Sequence, residues 1–252
     1  MTSSHNAPPS PFAAHPRPQV MAHRGASRAE PENTVAAFRR AAEMGAEAVE
    51  LDVRRTADGV LVVHHNPHLH DGRQVSAITV AELRSPTGEG GAVPTLAEAL
   101  DACAGMWVNV EIKNDPSEPD FDPADSIADD TIAHLVARRT DDLWLISSFR
   151  EETIDRCRSL APSIATAWLC VEISDDTPAR LAAKGHAAVH PWVRSLTADQ
   201  VAACHAAGLQ VNTWTCDDPQ RMAELIEWGV DGICTNVPDV ALSVRSTGDA
   251  RA

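Results

Sequence analysis

Seven side chains in the first half of the chain can do chemistry together. His23-Arg24-Gly25 follows the apolar run Val20-Met21-Ala22, and Glu50 and Asp52 lie within Ala48–Val53. His64-His65 follows Val60–Val63, and Glu111 and Lys113 lie in or just after Trp107–Ile112. Side chains alternate faces along a strand, so Glu50 and Asp52 share a face, as do Glu111 and Lys113. Charges at the ends of otherwise apolar strands are costly unless they are paired or hold a metal. Carboxylates suit a hard divalent ion, Mg²⁺ or Ca²⁺, which makes Glu50, Asp52 and Glu111 candidate ligands. Such an ion polarises phosphoryl oxygens and an attacking hydroxyl. Arg24 offers phosphate a planar fork, and Lys113 a compact positive charge. Imidazole titrates near neutrality, so His23 and His65 can serve as general base and general acid. Each pair alone is a common pattern on a solvated strand. Their order and shared strand-end placement point to metal-assisted cleavage of a phosphate ester.

Elements must bring these residues together. Apolar runs read as strands at 19–22, 47–53, 60–63, 106–112, 143–147, 163–169, 186–190, 209–214 and 230–234. Amphipathic stretches between them read as helices at 31–44, 95–103, 123–139, 150–160, 176–184, 197–207 and 218–228. Pro31 in a first turn, the Thr95/Glu98 capping box and the stops at Gly45, Gly185, Gly208 and Gly229 mark their ends. With 60–63 counted as an extension or hairpin partner of 47–53, eight β–α units remain. They predict a (β/α)8 TIM barrel, with a doubly wound open sheet as the alternative. Catalytic residues of such barrels sit at the C-terminal strand ends, where most of the seven fall. The Gly- and Pro-rich stretch 66–94 reads as a small insertion near the barrel mouth. One domain is expected over 19–245, preceded by a disordered leader at 1–18 rich in Pro, Ser, Ala and His and followed by a tail at 246–252.

The 252 residues suffice for one such barrel, and 44% hydrophobic with 23% charged residues is ordinary for a globular chain. A formal charge of -15 argues against sequence-independent nucleic-acid binding and against docking on an anionic membrane. A small phosphodiester is the expected partner; oligomeric state is not legible. No run is apolar and long enough to span a bilayer, and 1–18 lacks the pattern of a secretory signal. The six scattered cysteines form no C-x-x-C pair and read as reduced core thiols, which places the protein in the cytoplasm.

The chain resembles the glycerophosphodiester phosphodiesterase family. The resemblance rests on HRGASRAEPENTVAAF at 23–38, GAEAVELDVRRTADGVLVVHH at 45–65, VNVEIK at 108–113, NTWTCDDP at 212–219 and GVDGICTNVP at 229–238. It implies a (β/α)8 barrel with an insertion after the second strand. It also implies hydrolysis of glycerophosphodiesters to glycerol 3-phosphate and an alcohol, with a divalent cation and two histidines. By that resemblance His23 and His65 form the acid–base pair, Arg24 and Lys113 hold phosphate, and Glu50, Asp52 and Glu111 hold the metal. Trp214 matches a family tryptophan and reads equally as a wall for the glycerol or alcohol group and as core. Members are thought to use the substrate's own glycerol hydroxyl as nucleophile, and the residues fit that route or direct attack by water.

Two departures stand out. Asn66 follows His65 where the family has Asp; an amide can hold an imidazole but cannot stabilise imidazolium by charge. Asn236 replaces Asp in the last Thr-Asp-x-Pro, affecting a local contact at the barrel mouth rather than the metal site. His64 competes with His65, but alternation turns it to the opposite face. Glu32, Asn33 and Thr34 are expected to start the first helix, and Ser148 and Phe149 to reach substrate. Trp192 reads as packing, and His190 among others as a surface or locally bonded residue. Two further readings are a lysophospholipase D-like hydrolase, which needs an apolar mouth, and a catalytically weak phosphate-ligand-binding barrel, suggested by the two asparagines.

Overall fold

Strands buried on both faces need helices to cover them, and this chain supplies a helix after most strands. The computed structural model describes residues 18–84, 93–138, 140 and 143–249. The expected leader apart from Pro18, part of the insertion (85–92) and the last three residues of the expected tail lie outside them.

The strands are β1 (Gln19–His23), β2 (Ala48–Arg55), β3 (Leu61–Val63), β4 (Trp107–Ile112), β5 (Trp144–Ser148), β6 (Ala165–Cys170), β7 (Ala188–Pro191), β8 (Gln210–Thr213) and β9 (Gly232–Thr235). Their order is β1-β9-β8-β7-β6-β5-β4-β2-β3, and a β1–β2 pairing closes the barrel. Every barrel pairing is parallel, while β3 runs antiparallel to the far end of β2. The chain therefore folds as the closed (β/α)8 barrel that the alternation predicts, with β3 as the hairpin partner of the second strand.

The helices are α1 (Val35–Met44), α2 (Val80–Leu83), α3 (Leu96–Ala102), α4 (Ser126–Val136), α5 (Glu151–Leu160), α6 (Thr177–Lys184), α7 (Ala198–Ala206), α8 (Pro219–Trp228) and α9 (Pro238–Asp249). Thr95 and Thr197 head full capping boxes, each of which stabilises its helix by about 1 kcal/mol. The first helix begins four residues later than its proline suggests. Asn33 has φ 58° and sends its amide to Asp52, so Pro31–Asn33 belong to the barrel mouth and only Thr34 caps α1. α9 is the helix that the sequence reading lacks, and it continues into the stretch expected as tail.

Two large apolar clusters pack the helices on the barrel, and a smaller one lies inside it around Met21, Trp107, Leu145 and Cys234. The described part of the insertion packs Leu69, Val75 and Leu83 against Val62 of β3 as a small core of its own. Gly25 has φ +82°, and a Cβ there would lie 2.6 Å from the Ala37 carbonyl carbon. Only glycine lets the β1 loop lie this close to α1. Among the described residues, no helix is long and apolar enough to cross a membrane.

Candidate active site

Strand register assembles the site. His23 pairs with Glu50 across β1 and β2, and Asp52 with Glu111 across β2 and β4. Partners in register point the same way, so all four side chains reach the C-terminal mouth. One oxygen from each of Glu50, Asp52 and Glu111 lies within 4.8 Å of the others. All three residues are buried, and Glu50 Oε1 and Asp52 Oδ1 have no hydrogen-bond partner. Burial, Asp52 and Glu111 push the Glu50 carboxyl well above its ordinary value. Burial and Asp52 also raise Glu111, against the pull of Lys113. For Asp52, burial is overcome by Lys113, Arg24, His65 and the Asn33 amide, which together hold it low. Three convergent oxygen donors, two with unpartnered atoms, fit a hard divalent cation.

The cations border this cluster. Lys113 Nζ donates to Glu111 Oε1 at 2.7 Å and lies 3.7 Å from Asp52 Oδ1. Arg24 Nη1 donates to Glu32 at 3.0 Å, and Arg24 Nε lies 3.2 Å from Asp52 Oδ2 without hydrogen-bond alignment. Arg24 adopts φ 57°, an uncommon backbone for a non-glycine residue, and its amide donates to Glu50 Oε2 at 3.0 Å.

Each histidine is held through Nδ1. His65 Nδ1 lies 2.9 Å from Asn66 Oδ1, and His23 Nδ1 lies 2.7 Å from Asn236 Oδ1. Asn236 Nδ2 donates to Asp217 Oδ2 at 2.7 Å; because a carboxylate only accepts, Oδ1 must face His23. His23 therefore carries its proton on Nδ1 and leaves Nε2 bare, 3.9 Å from Glu50 Oε2. The Asn236 departure thus acts on a catalytic candidate, where the sequence reading expects only a local mouth contact. Burial lowers both imidazoles, His65 to about 4.

His23, Arg24, Glu50, His65, Glu111, Lys113 and Trp214 line one chamber of about 290 Å³. Asp52 is not among the lining residues but lies within the carboxylate cluster. Trp214 donates to the His190 carbonyl and meets Phe149 edge-on at 5.4 Å. His64 faces a separate trough that shares His65 with the chamber. Ser148 does not reach the chamber, because its hydroxyl turns to the Ile112 carbonyl while Phe149 points in. His190, expected as a surface or locally bonded residue, is the second: it is 2% exposed inside the barrel, where it accepts from Asn212 at 3.0 Å. Asn109, His190 and Asn212 line the chamber floor. Alternation is the signal that could have found two of them: Asn109 precedes Glu111, and Asn212 precedes Trp214, by two residues.

A closed (β/α)8 barrel whose C-terminal mouth gathers three carboxylates, two imidazoles, a guanidinium and an ammonium defines a phosphoryl-transfer barrel. Residues 23–240 match the model of the glycerophosphoryl diester phosphodiesterase family. The chain is similar to a glycerophosphodiester phosphodiesterase of Caldanaerobacter subterraneus subsp. tengcongensis, 30% identical over 91% of this chain and 98% of that one. It is also similar to a probable glycerophosphodiester phosphodiesterase 2 of Mycobacterium tuberculosis, 32% identical over 96% of each. Among solved structures, an Oleispira antarctica phosphodiesterase in complex with the product sn-glycerol-3-phosphate superposes with a TM-score of 0.78. It is 29% identical, and the match covers 90% of this chain and 96% of that one. The chain belongs to the glycerophosphoryl diester phosphodiesterase family and is a phosphoric diester hydrolase.

Proposed function

We propose that this protein hydrolyses glycerophosphodiesters to glycerol 3-phosphate and an alcohol, using a divalent cation and the His23/His65 pair. The observation that carries this reading is the chamber in which both imidazoles, both cations and the carboxylate cluster meet. Glu50, Asp52 and Glu111 hold Mg²⁺ or Ca²⁺, which when bound supplies Lewis-acid polarisation of the phosphoryl group. Arg24 and Lys113 orient the phosphate and offset the charge that builds on its oxygens. His23 Nε2 takes the proton of the attacking hydroxyl, from the substrate's glycerol arm or from water. His65 delivers a proton to the leaving alcohol. Phe149 and Trp214 form the apolar wall along which the carbon chain of one arm lies.

Large apolar side chains exposed near the mouth are confined, among the described residues, to Phe149 and Val171. That gives little surface for an acyl chain and favours a soluble diester over a lysophospholipid. The six cysteines are free and buried, which supports a reducing, cytoplasmic setting.

The deciding experiment is glycerol 3-phosphate release from glycerophosphocholine and glycerophosphoethanolamine with Mg²⁺, with Ca²⁺ and with EDTA. Release that EDTA abolishes is expected. Binding of glycerol 3-phosphate without turnover of either diester would instead identify a ligand-binding barrel.

The metal assignment has a test that needs no substrate. Glu50 and Glu111 are raised, so the folded chain keeps protons that the unfolded chain sheds near 4.5. Without metal, their contribution to stability is therefore present at low pH and lost as pH rises through the folded-state values. A divalent ion binding only the folded chain at about 100 times its Kd adds roughly 2.7 kcal/mol. For a domain of this size, thermal melts should rise by on the order of 5–10 °C. Glu50→Gln should lose most of that rise, and an undiminished rise in the variant would contradict its role as a ligand.

A further inference from the structure

His65 does not sit on a strand. β3 ends at Val63, and a histidine on the loop beyond it needs something to fix its backbone. We infer that Arg54 is a positioning residue for His65, clamping its carbonyl from beneath and tying it to the loop between β4 and α4. The inference rests on the catalytic reading of His65 given above.

Arg54 is 0% exposed, an uncommon state for a guanidinium. It lies on β2 two residues past Asp52 and so points to the same side of the strand. Its donors are almost fully committed. Nε and Nη2 donate to the His65 carbonyl at 2.9 and 2.6 Å, so one edge of the guanidinium converges on that oxygen. Nη2 also donates to Glu118 at 2.9 Å, and Nη1 to Asp120 at 2.7 Å. Glu118 and Asp120 neutralise the buried charge, so the pairing offsets much of its desolvation. They come from the loop that follows Lys113, which links the histidine to the segment beyond the phosphate-binding lysine.

The clamp has geometric content that a simple ion pair lacks. Two N–H bonds from one planar group to one carbonyl fix the direction of that carbonyl as well as its distance. The backbone just before His65 is held from the other side, where the His64 amide donates to the Asp52 carbonyl at 2.9 Å. β2 therefore holds the histidine loop through Asp52 and Arg54, on the same strand that presents Glu50 and Asp52 to the metal cluster. Of the charged pair Arg54-Arg55 at the end of this strand, the first is the more buried.

Lysine retains the charge for Glu118 and Asp120 but lacks the planar fork, so Arg54→Lys isolates the clamp. In folded Arg54→Lys, kcat should fall by about 30- to 100-fold, the loss expected when a catalytic group moves by about 1 Å. KM and the affinity for glycerol 3-phosphate should stay within about threefold, since no phosphate contact is touched. A kcat within about threefold of wild type, or kcat and product affinity falling together, would overturn the positioning role. If Arg54→Lys does not fold, Glu118→Gln loosens the other hand of the same guanidinium. There, kcat should fall several-fold with product affinity unchanged, and an unaltered kcat would reject the inference. Wild-type protein run alongside keeps the two readings apart. An inactive wild type refutes the proposed reaction, whereas an active wild type with an indifferent Arg54 refutes the clamp alone.

Discussion

His65→Ala is expected to lose between about 10² and 10⁴ of its turnover on glycerophosphocholine, the span that a positioned acid or base contributes. The loss should depend on the leaving group. Choline departs as an alkoxide that needs a proton, whereas 4-nitrophenolate departs without one. A glycerophosphodiester of 4-nitrophenol should therefore recover most of the missing rate in His65→Ala. His23→Ala should be slow on both substrates, because in the proposed mechanism its bare Nε2 serves the attacking side. Stopped-flow or product assays on the two substrates decide the matter. Equal losses for both leaving groups in His65→Ala would reverse the assignment of acid and base, and wild-type rates in either variant would remove that residue from the mechanism.

Restoring a carboxylate beside His65 should move the pH profile by a large margin. Burial lowers this imidazole to about 4, and only the neutral Asn66 amide faces its Nδ1. At neutral pH little of it is protonated, so an acid role limits the rate. An opposite charge within hydrogen-bond reach raises the pKa of an imidazole by roughly 1–3. Asn66→Asp stabilises imidazolium and therefore acts in this direction. The protonated form then persists to higher pH, and the alkaline fall of kcat/KM moves upward by the same amount. Well above both values, for example at about pH 8, kcat/KM should rise by about 10- to 1,000-fold, since each step of one in pKa changes the protonated fraction tenfold. An unmoved alkaline limb, measured from about pH 5 to 9, would show that His65 is not the proton donor. At His23 the same substitution should matter less. Asn236→Asp would place a carboxylate beside Asp217, and the two would share the cost of lying together.

The barrel and most of its site are legible in the sequence for a physical reason. Parallel strands buried on both faces leave short apolar runs, and the charges that interrupt them at their C-terminal ends mark the mouth. The failures share a different cause. His190 is left open between surface and local bonding because a lone histidine after a four-residue run carries no sign of which face it takes. Pro31 marks a helix start that the chain delays, because Asn33 is drawn back to Asp52. Arg54 cannot be singled out in sequence, since its acid partners lie 64 and 66 residues away and only closure of the barrel brings them under it. The contact of Asn66 with an imidazole is legible in sequence, but that Asn236 also faces one is a property of the folded mouth.

The pairing of His23 with Asn236 spans 213 residues. It joins the end of the first strand to the residue just past the last, across the β1–β9 seam that closes the barrel. A nascent chain emerging from the ribosome therefore carries all seven candidate residues long before His23 can meet Asn236, which waits until nearly all of the chain has been synthesised. The His23–Asn236 contact itself can form only once that seam is closed. Appearance of activity during refolding should accordingly trail the recovery of helical signal and report on completion of the ring.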